Sequence, residues 1–247
     1  EIKFVSLVGI DLAGNDTDEK IPMAAFFDDY EAFFEGRAVQ TDGSSVVLTN
    51  IATLNNARVD MWGDPSVNWF VDYNYENIDE ATGLPTGTLR IPAFLMHNYR
   101  YVDSRSILKR SCDYVRAELL SLIKEKGVPG MPHVKADDVV DIVFTSATEL
   151  EFWVKTPSKT VTKKELSVSQ RLQEQYWQRT HGTVRTVLEQ AVERLDKYGM
   201  VAEMGHKEVG GVKAKLDEDG HESVVLEQLE IDWKFSGNPL QTADNEL

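Results

Sequence analysis

Thr148-Glu149-Leu150-Glu151-Phe152-Trp153 alternates polar and apolar side chains with the period of a β-strand, placing Glu149 and Glu151 on one face and Leu150 and Phe152 on the other. Two residues along a strand span about 6.6 Å, so these carboxylates repel unless water screens them or a cation lies between. An isolated pair of this kind is ordinarily a solvated strand face. Here the preceding run Val139 to Ala147 is apolar, and the two segments together predict a buried strand over 139–154.

Further along lie His206-Lys207-Glu208 and Glu227-Gln228-Leu229-Glu230-Ile231-Asp232-Trp233. In the latter, Gln228, Glu230 and Asp232 share a face opposite Leu229, Ile231 and Trp233. If these strands neighbour the first, their carboxylates converge with Glu149 and Glu151. Oxygen-rich clusters without cysteine suit Mg²⁺ or Mn²⁺, which take carboxylate and water ligands and act alongside substrate phosphates. Taken alone each segment is weak, and a single His206 is ordinarily structural. Upstream, Thr41-Asp42-Gly43-Ser44-Ser45 groups hydroxyls and a carboxylate in what is, on local grounds, a plain β-turn.

The chain around these segments is α+β. Ile2 to Ile10, Val46 to Leu54 and Trp69 to Tyr75 are β-rich runs, with helical signal between them at Met23 to Glu35, and Asp79 to Pro92 is an irregular loop or hairpin. Helical periodicity opens at Asp103, a capping residue, runs through Leu108, Cys112, Leu119 and Ile123, and stops at Gly127. A second long helix is predicted from Ser167, with Gln170 completing a capping box, past Leu172, Tyr176, Val184 and Leu188 to Gly199. Two strands then flank Asp217-Glu218-Asp219-Gly220, whose Asp219-Gly220 suits a type I′ hairpin.

Composition excludes several classes. With 247 residues, 26 basic and 41 acidic side chains, the formal net charge is -15, which opposes binding to nucleic acid or an anionic membrane. At 42% hydrophobic the chain can bury a core, and no apolar run approaches the roughly 20 residues needed to span a bilayer. Cys112 is the only cysteine, so no disulfide framework exists and a reducing cytoplasm is expected. GxxxxGK[ST], GxGxxG, GxSxG and HExxH are absent, which removes support for P-loop, dinucleotide-binding, α/β-hydrolase and zincin chemistry. The chain opens on Glu1 rather than methionine, and Thr242 to Leu247 looks like a helix start, from which a piece of a longer protein is expected.

Taken in order, these segments resemble the glutamine synthetase family. Asp42-Gly43-Ser44-Ser45 is similar to its FDGSS loop, and Ser104-Arg105-Ser106-Ile107-Leu108 to the segment that opens its catalytic domain. Glu149-Leu150-Glu151-Phe152 resembles its ExEF strand. Glu203-Met204-Gly205-His206-Lys207-Glu208-Val209 and Gln228-Leu229-Glu230-Ile231 resemble its E-x-x-H-x-E-V and Q-x-E strands, and Thr242-Ala243-Asp244-Asn245 the segment that follows. The resemblance implies a small β-grasp domain over 1–102 and, over 103–247, the first part of a curved antiparallel catalytic sheet with helices. It implies a ligase that joins ammonia to the γ-carboxylate of glutamate through γ-glutamyl phosphate, using ATP and Mg²⁺ or Mn²⁺, in a homo-oligomeric ring whose active sites are shared between neighbours.

By family position, Glu151, Glu208 and Glu230 would hold one ion and Glu149 the other. Glu203 and His206 would lie at the nucleotide side with Phe235 near the adenine, and Asp42, with Ser45 close by, would bind and help deprotonate ammonium. Two departures stand out: a long hairpin containing Gly210-Gly211 replaces the family's short glycine loop, and Asp64-Pro65 is followed by an extended 69–87 stretch. The family's glutamate-binding loop and phosphate-binding arginines fall beyond Leu247, so this piece alone is expected to be inactive. The rivals are a γ-glutamyl ligase of the same family that uses another amine, a non-catalytic relative, and an acidic scaffold without a site. Retention of Asp42 and of the acidic residues favours the first-named ligase.

Overall fold

A computed structural model describes residues 2–54, 56–157, 179–180, 182–216 and 222–247, with main chain alone for 156–157, 209–216 and 222–226. The chain is mixed α+β and divides into two compact units, residues 1–146 with 236–244, and residues 147–235 with 245–247. The division does not fall at the expected 102/103 boundary, because the helix after Asp103 groups with the first unit.

The first unit is built on a seven-stranded sheet in the order β2-β1-β6-β4-β3, with β5 and β7 also paired to β6. Its elements are β1 (Ile2–Gly9), β2 (Ile21–Pro22), α1 (Met23–Asp28), α2 (Tyr30–Phe34), β3 (Val39–Asp42), α3 (Thr49–Ala52), β4 (Arg58–Gly63), β5 (Phe70–Ile78), β6 (Pro85–His97), β7 (Arg100–Tyr101) and α4 (Ser104–Lys126). β1 lies parallel to β6, and the other pairings are antiparallel. Val5, Leu7, Ile91, Ala93 and Leu95 from these two strands are fully buried against Phe26 and Phe33 of the short helices and Val59 and Met61 of β4. Removal of their apolar area from water is the main force holding this unit together.

Both ends of α4 are set by local chemistry legible in the sequence. Asp103 accepts from the Ser106 main-chain N–H at 2.8 Å and from that of Leu95 at 2.9 Å, so one buried carboxylate caps the helix and ties it to β6. Burial raises its pKa. Gly127 ends the helix at φ +81°, a conformation that costs most other residues strain.

Other expectations fail for physical reasons. Val46 to Leu54 forms no strand; Leu48 and Ile51, three apart, bury one side of α3 instead. Such a short apolar run fits either period. The predicted strand over 139–154 begins only at Glu149: residues 139–147 are irregular, with Val140 90% exposed. β propensity expresses packing against a neighbouring strand, and this stretch has only the isolated Ser146–Ser236 bridge. Of the loop or hairpin expected over Asp79 to Pro92, the hairpin is what forms, its turn joining β5 to β6. Thr242 opens no helix; it sits inside α6 (Pro239–Asp244) and donates its hydroxyl to the Ser146 carbonyl at 3.2 Å.

The second unit is a three-stranded antiparallel sheet in the order β8-β10-β9, made of β8 (Glu149–Pro157), β9 (Ala202–Leu216) and β10 (Glu222–Trp233). One face packs on α5 (Gly182–Lys197), with Val184 and Leu188 against Leu229 and Ile231, flanked by Phe152, Val154 and Ala202. Gly205 permits this approach, since a Cβ there would lie 2.8 Å from Val192 and 2.9 Å from Leu188. The expected helix from Ser167 to Gly199 is not continuous, for residues 179–180 are non-helical and α5 runs from Gly182 to Lys197. Ser167, Gln170, Leu172, Tyr176 and the Asp217 to Gly220 turn lie outside the described residues. Among the described residues, no helix is long and apolar enough to cross a membrane.

Candidate metal centre

The sheet face away from α5 collects the acidic side chains. β10 is central, and its register with both neighbours aligns Glu151, Glu230 and His206 in one row across the sheet and Glu149, Asp232 and Met204 in the next. Period-2 alternation therefore puts Glu149 and Glu151 on the same face as Glu230, Asp232 and His206. Glu208 follows His206 by two residues and joins them. Ligand oxygens of Glu151, Glu208 and Glu230 all lie within 4.8 Å of one another, as do ligand atoms of His206, Glu230 and Asp232. Glu208 and Glu230 are buried while Glu151 is exposed, so the cluster opens to solvent on the β8 side.

Crowding shows in the protonation of Glu230. A side-chain hydrogen bond with Glu208, then burial, then the charges of Asp232, Glu208 and Glu149 push its carboxyl up to about 8. A proton stands where a cation could stand. His206 Nδ1 faces the Lys207 carbonyl at 3.1 Å, which places a proton there and turns Nε2 toward Asp232 at 3.2 Å and Glu230 at 3.5 Å. Gln228 donates to Glu151 Oε2 at 2.7 Å, fixing the carboxylate from β8 to the central strand. A divalent ion fits this donor set, which offers oxygens with one imidazole nitrogen and no thiolate.

The raised Glu230 pKa fixes the sign of a pH effect. Its ordinary value is 4.5 and its folded value about 8, so between these the metal-free native state holds a proton that the unfolded chain has lost. The stabilisation is complete below pH 4.5 and disappears as pH rises through 8. Melting in EDTA is expected to show Tm falling from pH 5 to pH 8, and Glu230→Gln should flatten that slope; parallel slopes for both proteins would refute the protonated carboxyl.

The remaining sequence candidates lie elsewhere on these strands or in the first unit. Glu203 is the unpaired residue of a bulge, because Met204 pairs with Asp232 while Ala202 pairs with Trp233. Phe235, just past β10, is 62% exposed. Asp42 ends β3, and its carboxylate accepts from Ser44, which donates its N–H at 2.7 Å and its hydroxyl at 2.5 Å. These bonds, the hydroxyl one foremost, hold the Asp42 carboxyl below its usual value. Ser45 donates its main-chain N–H to the Asp42 carbonyl at 2.9 Å, the signature of a turn.

Two buried charge clusters carry no local sequence signal. Lys207 Nζ meets Glu227 Oε1 at 2.8 Å on the α5 side of the sheet, with both side chains buried. In the first unit, Arg105 bonds Asp244 through Nε and Nη2, each at 2.7 Å, and Asp64 at 3.0 Å, and lies 4.7 Å from the Phe94 ring centroid. Each partner is distant in sequence, and only the completed fold reveals the pairing.

No family model matches the chain, and no curated protein matches it. Among solved structures, it is similar to the cryo-EM structure of Plasmodium falciparum glutamine synthetase, with a TM-score of 0.53 and 15% sequence identity over 98% of this chain. The fold is glutamine synthetase-like. At that identity the likeness is one of fold alone, and the chain spans 43% of the length of that glutamine synthetase.

Proposed function

We propose that this chain is the N-terminal portion of a glutamine synthetase, a ligase joining ammonia to the γ-carboxylate of glutamate at the expense of ATP, through γ-glutamyl phosphate. The observation that carries this is the meeting of Glu151, Glu208 and Glu230 from three strands with their oxygens within 4.8 Å of one another. Like-charged carboxylates held this closely favour a cation among them. Residues 1–102 are assigned to a β-grasp domain and 103–247 to the first part of the catalytic domain, a division by role that differs from the compact units, in which residues 103–146 group with the first; the whole is assigned to a cytoplasmic homo-oligomeric ring.

Glu151, Glu208 and Glu230 are assigned to one Mg²⁺ or Mn²⁺ and Glu149 to a second. When bound, such ions neutralise charge on a transferred phosphoryl group. The chain's own groups orient the reactants. Gln228 keeps Glu151 turned to the cluster, His206 and Glu203 are assigned to the nucleotide side, and exposed Phe235 is assigned near the adenine. Asp42 stays ionised through its Ser44 bonds, which suits holding an ammonium cation; its carboxylate is assigned to help take the proton that ammonium loses as ammonia forms. Ser45 is assigned beside it.

The assay is glutamine formation from glutamate, ammonia and Mg·ATP by the intact protein. Asp42→Asn should lower that rate about 100-fold, the lower end for loss of an acid–base group, with ATP affinity within twofold of the parent. An equal loss of ATP binding would remove Asp42 from the ammonium site, and absence of glutamine formation in the parent would overturn the ligase assignment.

A further inference from the structure

The β9–β10 ladder is interrupted at the position where Glu208 enters the centre. Lys207 pairs with Leu229 and Val212 pairs with Glu227, so Glu208, Val209, Gly210 and Gly211 of β9 stand opposite Gln228 alone. A bulge this large removes ladder hydrogen bonds, and two glycines within it add conformational freedom. The strand direction at Glu208 is therefore set weakly by the main chain.

The edges of the gap are joined by side chains. Lys207 is the last β9 residue paired before the bulge, and Glu227 is the β10 residue paired just beyond it. Their ion pair crosses the gap at 2.8 Å on the α5 face, with side chains 4% and 10% exposed. Lys207 adjoins Glu208 in the chain, and Glu227 adjoins Gln228, the group that orients Glu151. A buried charge pair of this kind contributes little net stability compared with apolar residues of the same size. Its distinctive property is directional, since it is satisfied in one alignment of the two strands.

We propose that the Lys207–Glu227 pair is a positioning device that clamps the bulge, so that Glu208 and Gln228 present their side chains to Glu230 and Glu151 on the opposite face. The proposal rests on the assignment of Glu151, Glu208 and Glu230 to a divalent ion, and the test separates the two. Mn²⁺ affinity is measured on the intact protein by the electron paramagnetic resonance of free Mn²⁺, alongside Tm in EDTA.

Lys207→Met with Glu227→Leu removes both charges at similar volume, so no buried charge is left alone. The metal-free Tm should stay within a few degrees while Mn²⁺ binding weakens about tenfold or more, the range seen when groups behind metal ligands are lost. Lys207→Arg, which keeps the charge, should retain most of the affinity. Unchanged Mn²⁺ affinity in a folded double variant overturns the positioning role. Should that variant fail to fold, Lys207→Leu with Glu227→Met, which likewise leaves no buried charge alone, takes its place: severalfold weaker Mn²⁺ binding supports the clamp, and unchanged binding overturns it. If the parent protein binds no Mn²⁺, the metal centre itself fails, and the clamp with it.

Discussion

Mn²⁺ at a hundredfold excess over its Kd is expected to raise the Tm of the protein by roughly 5–10 °C, and Glu151→Ala combined with Glu230→Ala to abolish that rise. The expected size follows from linkage: a ligand at that excess adds about 2.7 kcal/mol to the folded state. For chains of this length each kcal/mol shifts Tm by about 2–4 °C. The double variant makes a second, opposite demand. Removing two of the mutually repelling carboxylates should leave the metal-free Tm unchanged or higher, because the proton that Glu230 now holds up to about pH 8 is no longer needed. A variant that keeps the full Mn²⁺ shift would place the ion elsewhere. One that loses both the shift and its metal-free stability would mean that these side chains support the fold instead.

Arg105→Ala is expected to destabilise the first unit by about 3–5 kcal/mol, measured as a lowered midpoint of urea unfolding. The guanidinium is 3% exposed and engages Asp64 and Asp244, themselves buried, so its removal leaves two carboxylates in the interior without their cation. Burial already raises the Asp244 pKa with Arg105 in place. Lys109→Ala is the contrasting case. Lys109 also meets a carboxylate at 2.7 Å, that of Asp113, but both side chains are more than half exposed, and the expected cost is below about 1 kcal/mol. Equal effects of the two substitutions would show that the buried cluster contributes no more than a surface pair.

How far the sequence could be read depended on the range of the interactions involved. The ends of α4 are legible because Asp103 and Gly127 act on neighbouring residues. The faces of β8 and β10 are legible because alternation is local, so Glu149 with Glu151, and Glu230 with Asp232, could be paired without coordinates. Bringing the two strands together needs the register, and aligning Glu208 needs the bulge, neither of which follows from alternation. Residues 139–147 misled because their β-branched, apolar composition fits a strand, while the neighbour that a strand requires is missing among the described residues. The turn holding Asp42 is legible from Thr41 to Ser45, while the carboxylate's bonds to Ser44 depend on how that turn closes. Arg105 was visible only as part of a motif, and its role as the centre of a charge cluster came from partners far along the chain.

That distance has a consequence for biosynthesis. Asp244 follows Arg105 by 139 residues, and residues 147–235 of the second unit are made between them. At about 5–20 residues per second, a ribosome takes roughly 7–28 s to cover that interval. During this delay Arg105 has Asp64 as its carboxylate partner, and α6 has not yet emerged to complete the cluster. The Arg105 cluster of the first unit therefore closes only after residues 147–235 of the second unit have been synthesised.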